Sequence, residues 1–465
     1  MRVVYTTHQF FPDFGAGTEV LTLGTAKEMA RRGHAVEIYT GHPVREKPSP
    51  ETAFDAYRHD GLPVCRMAHA NRWSILPENP MEAEYRNLFF ARRFRRDLAE
   101  RRPDVAHFFH LQRVSASAVE VCYGLGIPTV FTVTDFWPLC PTNQLLGPGL
   151  SLCRGPGPEA ANCVAHLAEI HGGRRVGRLV QVLPPKGLEV LCRFSGKLPS
   201  PPRGFPALVR ALGGRAAYLR EQMNRVDAVL VATGFMEETL VEFGVDRGRI
   251  RRVPFGIPGT GKTGRKTVRG RRKNLRIGFI GTLYEHKGAH VLLRAVRRLP
   301  ADLPVEVRVY GKIDYFPAYG RRLVALAGED RRVCFCGTFP GEMTGEVLDG
   351  LDLLVVPSLW YENAPLVILE ARRAGVPVVA TGLGGMSELI RDGEDGMLFD
   401  RGDDGQLARI LEDLCRDRDR LARMSRKAPP PGTIVSYADE VEKIYRSLAD
   451  RRKGPAARPG ASALP

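Results

Sequence analysis

The sequence predicts an α/β chain built from two doubly wound domains, and three observations carry that expectation. Short apolar strand-like runs alternate with helical stretches from Val3 to Ala380, the pattern of right-handed βαβ winding. The chain has 465 residues, too many for one ordinary core. A run of eight basic residues and no acidic one, Lys262 to Arg276, separates two such series.

Hydrophobic residues make up 43% of the chain and charged residues 26%, so its bulk is globular. The formal net charge of +16 suits contact with anions: nucleic acid, acidic lipid or phosphorylated small molecules. An Arg-rich solvated surface is the plainer explanation. Nine cysteines are scattered and odd in number, which argues against a disulfide framework. Met1 to Thr6 enters a strand directly, without the charged and apolar regions of a secretory signal. No run reaches the roughly 18 apolar residues that a membrane span needs. A reducing cytoplasm is the expected location.

Val3 to Thr7 reads as a buried strand, followed by the glycine-bearing loop Phe14-Gly15-Ala16-Gly17. Thr18 is placed to cap a helix that runs to about Arg32, with Gly33 as its stop and Ala35 to Thr40 as the next strand. Strands then fall at Val105–Phe109 and Pro128–Val133 with a helix at Ser115–Tyr123 between them. Ala228–Thr233 and Ile250–Phe255 follow, around a helix at Met236–Phe243. Residues 140 to 205 are rich in Gly and Pro and read as an insertion made of loops. The expected organisation is an N-terminal domain over 1–255, a basic linker over 256–274 and a C-terminal domain over 275–430. A helix over 431–450 would pack back on the first domain, and 451–465 would be a disordered tail. In the second series the strands are Leu275–Ile280, Val305–Tyr310, Val333–Cys336, Leu351–Val356 and Val376–Ala380. Its helices are Gly288–Leu299, about Tyr319–Ala327, Gly345–Gly350 and Leu366–Ala374.

The segment Pro357-Ser358-Leu359-Trp360-Tyr361-Glu362-Asn363-Ala364-Pro365-Leu366-Val367-Ile368-Leu369-Glu370 carries the most chemistry. An all-apolar strand ends in a short polar loop, and a helix begins with Pro365 at its first position. The amides from Asn363 through Ala364 to Leu366, with the helix dipole, favour a diphosphate. The carboxyl end of a parallel strand is where open α/β sheets bind ligands. Glu362 and Glu370 bracket the loop, so that one can reach a sugar hydroxyl and the other a ribose. Periodicity alone equally allows Glu362 as a capping acid and Glu370 as a solvated helix residue.

This segment resembles the E-x7-E signature of the retaining nucleotide-sugar glycosyltransferases of GT-B fold, in particular the bacterial glycosyltransferase family 4. The likeness continues through Ala374-Gly375-Val376-Pro377, Gly384-Gly385-Met386-Ser387-Glu388 and Asp392-Gly393-Glu394-Asp395-Gly396. It implies two Rossmann-like domains facing across a cleft that closes on the donor. It implies that Glu362 contacts the transferred sugar and Glu370 the ribose. Gly281-Thr282-Leu283-Tyr284-Glu285-His286-Lys287-Gly288 resembles the family's strand-loop-helix with a donor-phosphate lysine, here Lys287; Thr282 stands where the family often has Arg. The loop through Gly15 and Gly17 resembles the family's glycine-rich loop near donor phosphate and acceptor. Asp104-Val105-Ala106-His107-Phe108-Phe109-His110 resembles its H-x-H strand end; the second His falls on Phe109, and His110 is the candidate to take the polar role. Thr134-Asp135-Phe136-Trp137 resembles a bacterial block that usually reads His-Asp-Phe-Trp, in a subset that carries further cysteines.

The resemblance implies transfer of a hexose-type sugar from a nucleotide-diphosphate sugar, a UDP or GDP sugar, with retention of configuration. No cofactor or catalytic metal is required, and the nucleotide sugar is a co-substrate. The expected partners are the donor, a glycan or lipid-linked acceptor and an anionic membrane surface, with no nucleic acid. The enzyme would be cytoplasmic, peripheral at the inner face of the membrane, and serve polysaccharide or cell-envelope synthesis.

Two other patterns compete. Gly256-Ile257-Pro258-Gly259-Thr260-Gly261-Lys262-Thr263 fits the phosphate-cradling P-loop, but the ten residues after it contain one apolar side chain and cannot form a packed helix. A P-loop NTPase or a basic nucleic-acid-binding protein is therefore the alternative reading, and a non-catalytic sugar-nucleotide binder a third. Cys140, Cys153, Cys163 and His166 form a candidate structural zinc set, with reduced, partly buried thiols as the competing account.

Overall fold

A computed structural model of the protein describes residues 1–44, 52–69, 79–171, 182–201, 204–259 and 273–453. Residues 260–272, with the end of the P-loop-like string and most of the basic run, and 454–465 of the expected tail lie outside the described residues; Arg451–Lys453, expected to be disordered, instead continue the helix Ile434–Lys453. The chain forms two compact units. One comprises Met1–Ala232, Glu237–Pro254 and the chain from Ile434; the other comprises Thr233–Met236 and Phe255–Thr433.

The first unit holds an eight-stranded sheet in the order β3-β4-β2-β1-β5-β6-β7-β8. Its strands are β1 (Arg2–Thr7), β2 (Ala35–Pro43), β3 (Phe54–His59), β4 (Leu62–His69), β5 (Val105–Phe108), β6 (Thr129–Thr132), β7 (Ala228–Val231) and β8 (Ile250–Arg252). All neighbours pair in parallel except the β3–β4 hairpin. That hairpin turns through Asp60 and Gly61 at φ of 49° and 79°, the left-handed pair that a tight two-residue hairpin needs. β5, β6 and β7 are buried throughout, as strands covered on both faces must be.

Some polar side chains deep in this core are held by partners. His107 sits wholly inside, bonded to Tyr445 and, at 2.8 Å, to Thr132 Oγ1. Burial pushes its imidazole down to about 3, so it stays neutral. Tyr445 lies on the helix Ile434–Lys453, which also bonds Thr132 through Tyr437 and pairs Glu442 with Arg32 at 2.8 Å.

Three expectations are corrected here. Thr18 is not the cap of the first helix, which spans Gly17–Arg31 with Ala16 at the cap position; the Glu19 carboxylate takes the Ala16 amide at 2.8 Å instead. Thr18 is thereby free to donate to Thr134 Oγ1 at 3.0 Å. Residues 140 to 205 are not merely loops: helices cover Ala161–His171 and Pro185–Ser195, and a long helix Phe205–Arg225 follows. Their buried stripe, including Val164, Leu167, Leu188, Cys192, Val209 and Leu212, makes its own small core, and this outweighs the surrounding Gly and Pro. Pro365 is the cap residue rather than the first helical one, with an extended ψ of 119°.

The second unit holds six parallel strands in the order β11-β10-β9-β12-β13-β14. They are β9 (Leu275–Ile280), β10 (Val305–Tyr310), β11 (Val333–Gly337), β12 (Leu353–Val356), β13 (Val378–Thr381) and β14 (Gly396–Phe399). The order runs outward in one direction from β9 and in the other from β12. Open α/β sheets bind ligands in a crevice at such a reversal, at the carboxyl ends of the two flanking strands, here β9 and β12. In the first unit the same reversal falls between β1 and β5.

Candidate active site

The crevice of the second unit is built by the loop after β9, residues 281–288, and the loop after β12, residues 357–365. They are pressed together. The Leu359 amide donates to the His286 carbonyl at 2.7 Å. Gly288 has φ +76°, and a Cβ there would lie 1.8 Å from the Pro357 carbonyl oxygen, so only glycine lets the loops meet. This contact carries Lys287 to the second loop.

Glu362 is 7% exposed, and its Oε1 accepts three hydrogen bonds at 2.8 Å each, from Lys287 Nζ, Ser358 Oγ and Trp360 Nε1. The Lys287 ammonium also stands 4.9 Å from the Trp360 ring centroid. A carboxylate this buried stays charged only with such compensation. The Glu362 backbone is fixed as well: its carbonyl accepts from the Gly385 amide at 2.8 Å. Asn363 is buried and its Oδ1 accepts from Thr233 Oγ1 at 3.0 Å. Ala364 precedes the cap residue Pro365, and the helix Leu366–Ala374 follows. The amides of Leu366 and Val367, in its first turn, have no acceptor within the helix by construction.

Glu370 lies one turn deeper and is partly buried. Among the described residues it has no hydrogen-bond partner. Burial pushes its carboxyl up to about 7, against the opposing pull of Arg373. Sequence reasoning had no means to find the other members of this site as a group. Trp360 and Ser358 enter through Glu362, and Arg401 enters through a 2.7 Å bond from its Nε to the Leu359 carbonyl. Thr282 is exposed, and its carbonyl accepts from the Tyr284 amide at 2.8 Å.

At the reversal in the first unit, the loop after β1 carries Gly15 and leads into the helix that begins at Gly17. A Cβ on Gly15 would come within 2.9 Å of the Phe11 ring. The loop after β5 carries His110, which is buried. Its Nε2 pairs with Asp135 Oδ2 at 2.9 Å, and its Nδ1 accepts from the Gln112 amide at 3.1 Å. Phe109 instead turns into the core, with its ring 4.2 Å from His107 and 5.1 Å from Tyr5. The His8 ring lies 4.2 Å from that of His110, tilted by 41°, and its Nδ1 is 3.5 Å from the buried Glu19. Burial raises Glu19 to about 7 and drives His8 well below its usual range. No sequence motif placed His8 or Glu19 in this group.

Cys140, Cys153, Cys163 and His166 all line one cavity of about 300 Å³ in the insertion. All nine cysteines are free. Among the described residues, no three His, Cys, Asp or Glu side chains already stand at metal-holding spacing.

Two Rossmann-like units with parallel sheets define the GT-B architecture of glycosyltransferases. Residues 16–256 match the family described as Glycosyl transferase 4-like domain, and residues 274–417 match Glycosyl transferases group 1. The chain belongs to the glycosyltransferase 4-like family. It is similar to D-inositol 3-phosphate glycosyltransferase of Corynebacterium urealyticum, 34% identical over 39% of this chain and 45% of that protein. The same enzyme of Nocardia farcinica is 32% identical over 50% and 54%. The chain thus spans about half the length of the curated relatives it matches. Among solved structures, Anabaena HepE in complex with UDP-glucose matches 96% of this chain and 100% of its own, with a TM-score of 0.61 at 16% identity. Sucrose-phosphate synthase from Thermosynechococcus elongatus matches 97% and 99%, with a TM-score of 0.65 at 16% identity. At that identity the likeness bears on the fold.

Proposed function

We propose that this protein is a glycosyltransferase that moves a hexose-type sugar from a nucleotide-diphosphate sugar to a glycan or lipid-linked acceptor, with retention and without a catalytic metal. One observation carries the reading. At the reversal point of the second unit, a lysine on the loop after β9 meets the loop after β12, whose buried acid, open helix amides and half-buried second acid follow within a few turns. The donor diphosphate rests on the Leu366 and Val367 amides beside Lys287. The glucose-like ring meets Glu362, and the ribose hydroxyls donate to Glu370. As the bond to the sugar breaks, charge grows on the departing phosphate, and Lys287 with the helix dipole stabilises it. That phosphate takes the acceptor proton. Within the first unit, His110, oriented by Asp135 at 2.9 Å, is the polar group proposed to serve transfer, together with the loop through Gly15 and Gly17. The UDP-glucose bound to HepE, a protein of the same fold, favours a UDP sugar. A panel of UDP and GDP sugars tests this: the true donor raises Tm by mass action, and no response to any of them contradicts the reading.

Glu370 gives a pH signature. Ribose hydroxyls need an ionised acceptor, and this carboxyl holds its proton up to about pH 7. Donor affinity is expected to weaken about tenfold for each pH unit below 7, and Glu370→Gln to flatten the profile. The linkage to stability has the opposite sense. Between the ordinary carboxylate value and 7 the folded state holds more protons than the unfolded, so this group's contribution is lost as pH rises through 7. Calorimetric titrations at several pH values check both.

The membrane partner has a candidate surface in the insertion. The helix Pro185–Ser195 buries Leu188 and Cys192, yet leaves Val190, Leu191 and Phe194 exposed, Phe194 at 64%. Exposed Lys186, Arg193 and Lys197 flank them. No described helix is long and apolar enough to cross a membrane. An apolar face rimmed by cations suits an anionic bilayer surface. Vesicles containing phosphatidylglycerol are expected to sediment the protein in a salt-sensitive manner, and Phe194→Asp with Leu191→Ser to abolish this. Binding that survives the double substitution contradicts the assignment.

A further inference from the structure

The insertion of the first unit brings a second group of chemistry-bearing side chains to one cavity. Cys140 follows the turn after β6. Cys153 is held by its amide bond to the Leu145 carbonyl at 2.8 Å. Cys163 and His166 lie one turn apart on the helix Ala161–His171, a spacing that puts both side chains on one face. Three thiols and an imidazole thus border the same cavity of about 300 Å³, which is otherwise lined largely by leucine, proline and glycine.

Two further features fit an ion and not merely packed thiols. The Gly155 amide and the Asn162 Nδ2 both donate to Cys153 Sγ, at 3.4 and 3.5 Å. Sulfur is a weak acceptor as a thiol and a good one as a thiolate. The second feature is Arg215. It is 3% exposed, bonds the carbonyls of Trp137 and Pro138 and lies 5.2 Å from the Trp137 ring centroid; the sulfurs of Cys140 and Cys163 act on its charge ahead of the Glu84 carboxylate. A buried guanidinium calls for an anion nearby. Three thiolates around a divalent ion carry one net negative charge, which balances it.

We infer that Cys140, Cys153, Cys163 and His166 bind a zinc ion that braces the insertion. Zinc takes four ligands of this kind in tetrahedral structural sites. The donors line the cavity wall and are not drawn together, so loading turns them inward. Each thiol gives up its proton to solvent as its sulfur bonds the metal; Cys153 then loses the hydrogen bond it donates to the Gly155 carbonyl as a thiol. The site stands independently of the donor reading.

The test uses the full chain, purified without a histidine tag and without chelator. Mass spectrometry of the metal content is expected to find one zinc per chain. Cobalt added to chelator-stripped, reduced protein is expected to give thiolate-to-metal charge-transfer bands and the visible bands of a tetrahedral ion. The Cys163→Ser, His166→Ala double variant should lose both signals. Metal-free protein that develops no cobalt bands overturns the inference, and this arm needs no variant to fold. A double variant that keeps stoichiometric zinc overturns the ligand set.

Discussion

Lys287→Ala is expected to lower kcat/KM for sugar transfer about a hundredfold to a thousandfold, the usual effect of removing one preorganised charge donor from a developing oxyanion. The ammonium bonds Glu362 at 2.8 Å, on the loop that leads into the helix whose amides would seat a diphosphate. Its loss leaves Glu362 with two neutral donors, from Ser358 and Trp360. Lys287→Arg keeps the charge but not the compact head, and should recover part of the rate. Steady-state kinetics with the identified donor decide the matter. An alanine variant within threefold of the parent would remove Lys287 from the mechanism.

Gly385→Ala should be nearly as severe, by a different route. A Cβ there would sit 1.6 Å from the Asn363 carbonyl oxygen and 3.0 Å from that of Glu362. Both obstacles are backbone, so the loop itself must move. Overpacking of this kind destabilises by roughly 1–3 kcal/mol, and here the displaced residues are those that hold Glu362. Transfer is expected to fall at least about a hundredfold as in other cases of lost preorganisation, with a lower Tm. Gly345→Ala is the control, since nothing lies within 4 Å of its Cβ position. Equal behaviour of the two variants, read by calorimetry and kinetics, would contradict the account.

Much of the second unit was legible in the sequence because its strands are short and mostly apolar or alternating, as in LRIGFI, VEVRVY and LLVV. Leu275–Ile280, Val305–Tyr310 and the helix Leu366–Ala374 have the bounds that periodicity assigns them. Glu362, Lys287 and Glu370 could be singled out because their neighbours are distinctive. What could not be read is the convergence of Ser358, Trp360 and Lys287 on one oxygen, which depends on two loops meeting across Gly288. The first unit was harder. Asp60-Gly61 is a strong hairpin signal, but its flanking strands alternate weakly: β3 has no buried residue. The helices of the insertion are short stripes set between Pro and Gly, so punctuation outweighs periodicity until tertiary packing is known. Glu19 looked like any first-turn acid; only the fold brings His8 and His110 beside it.

The central claim is the seat of the diphosphate. A structure of the protein with UDP bound tests it most directly. The account predicts the diphosphate within hydrogen-bonding reach of the Leu366 and Val367 amides and of Lys287, with the ribose on Glu370. A diphosphate held by any other loop, with Lys287 still closed on Glu362, would contradict it.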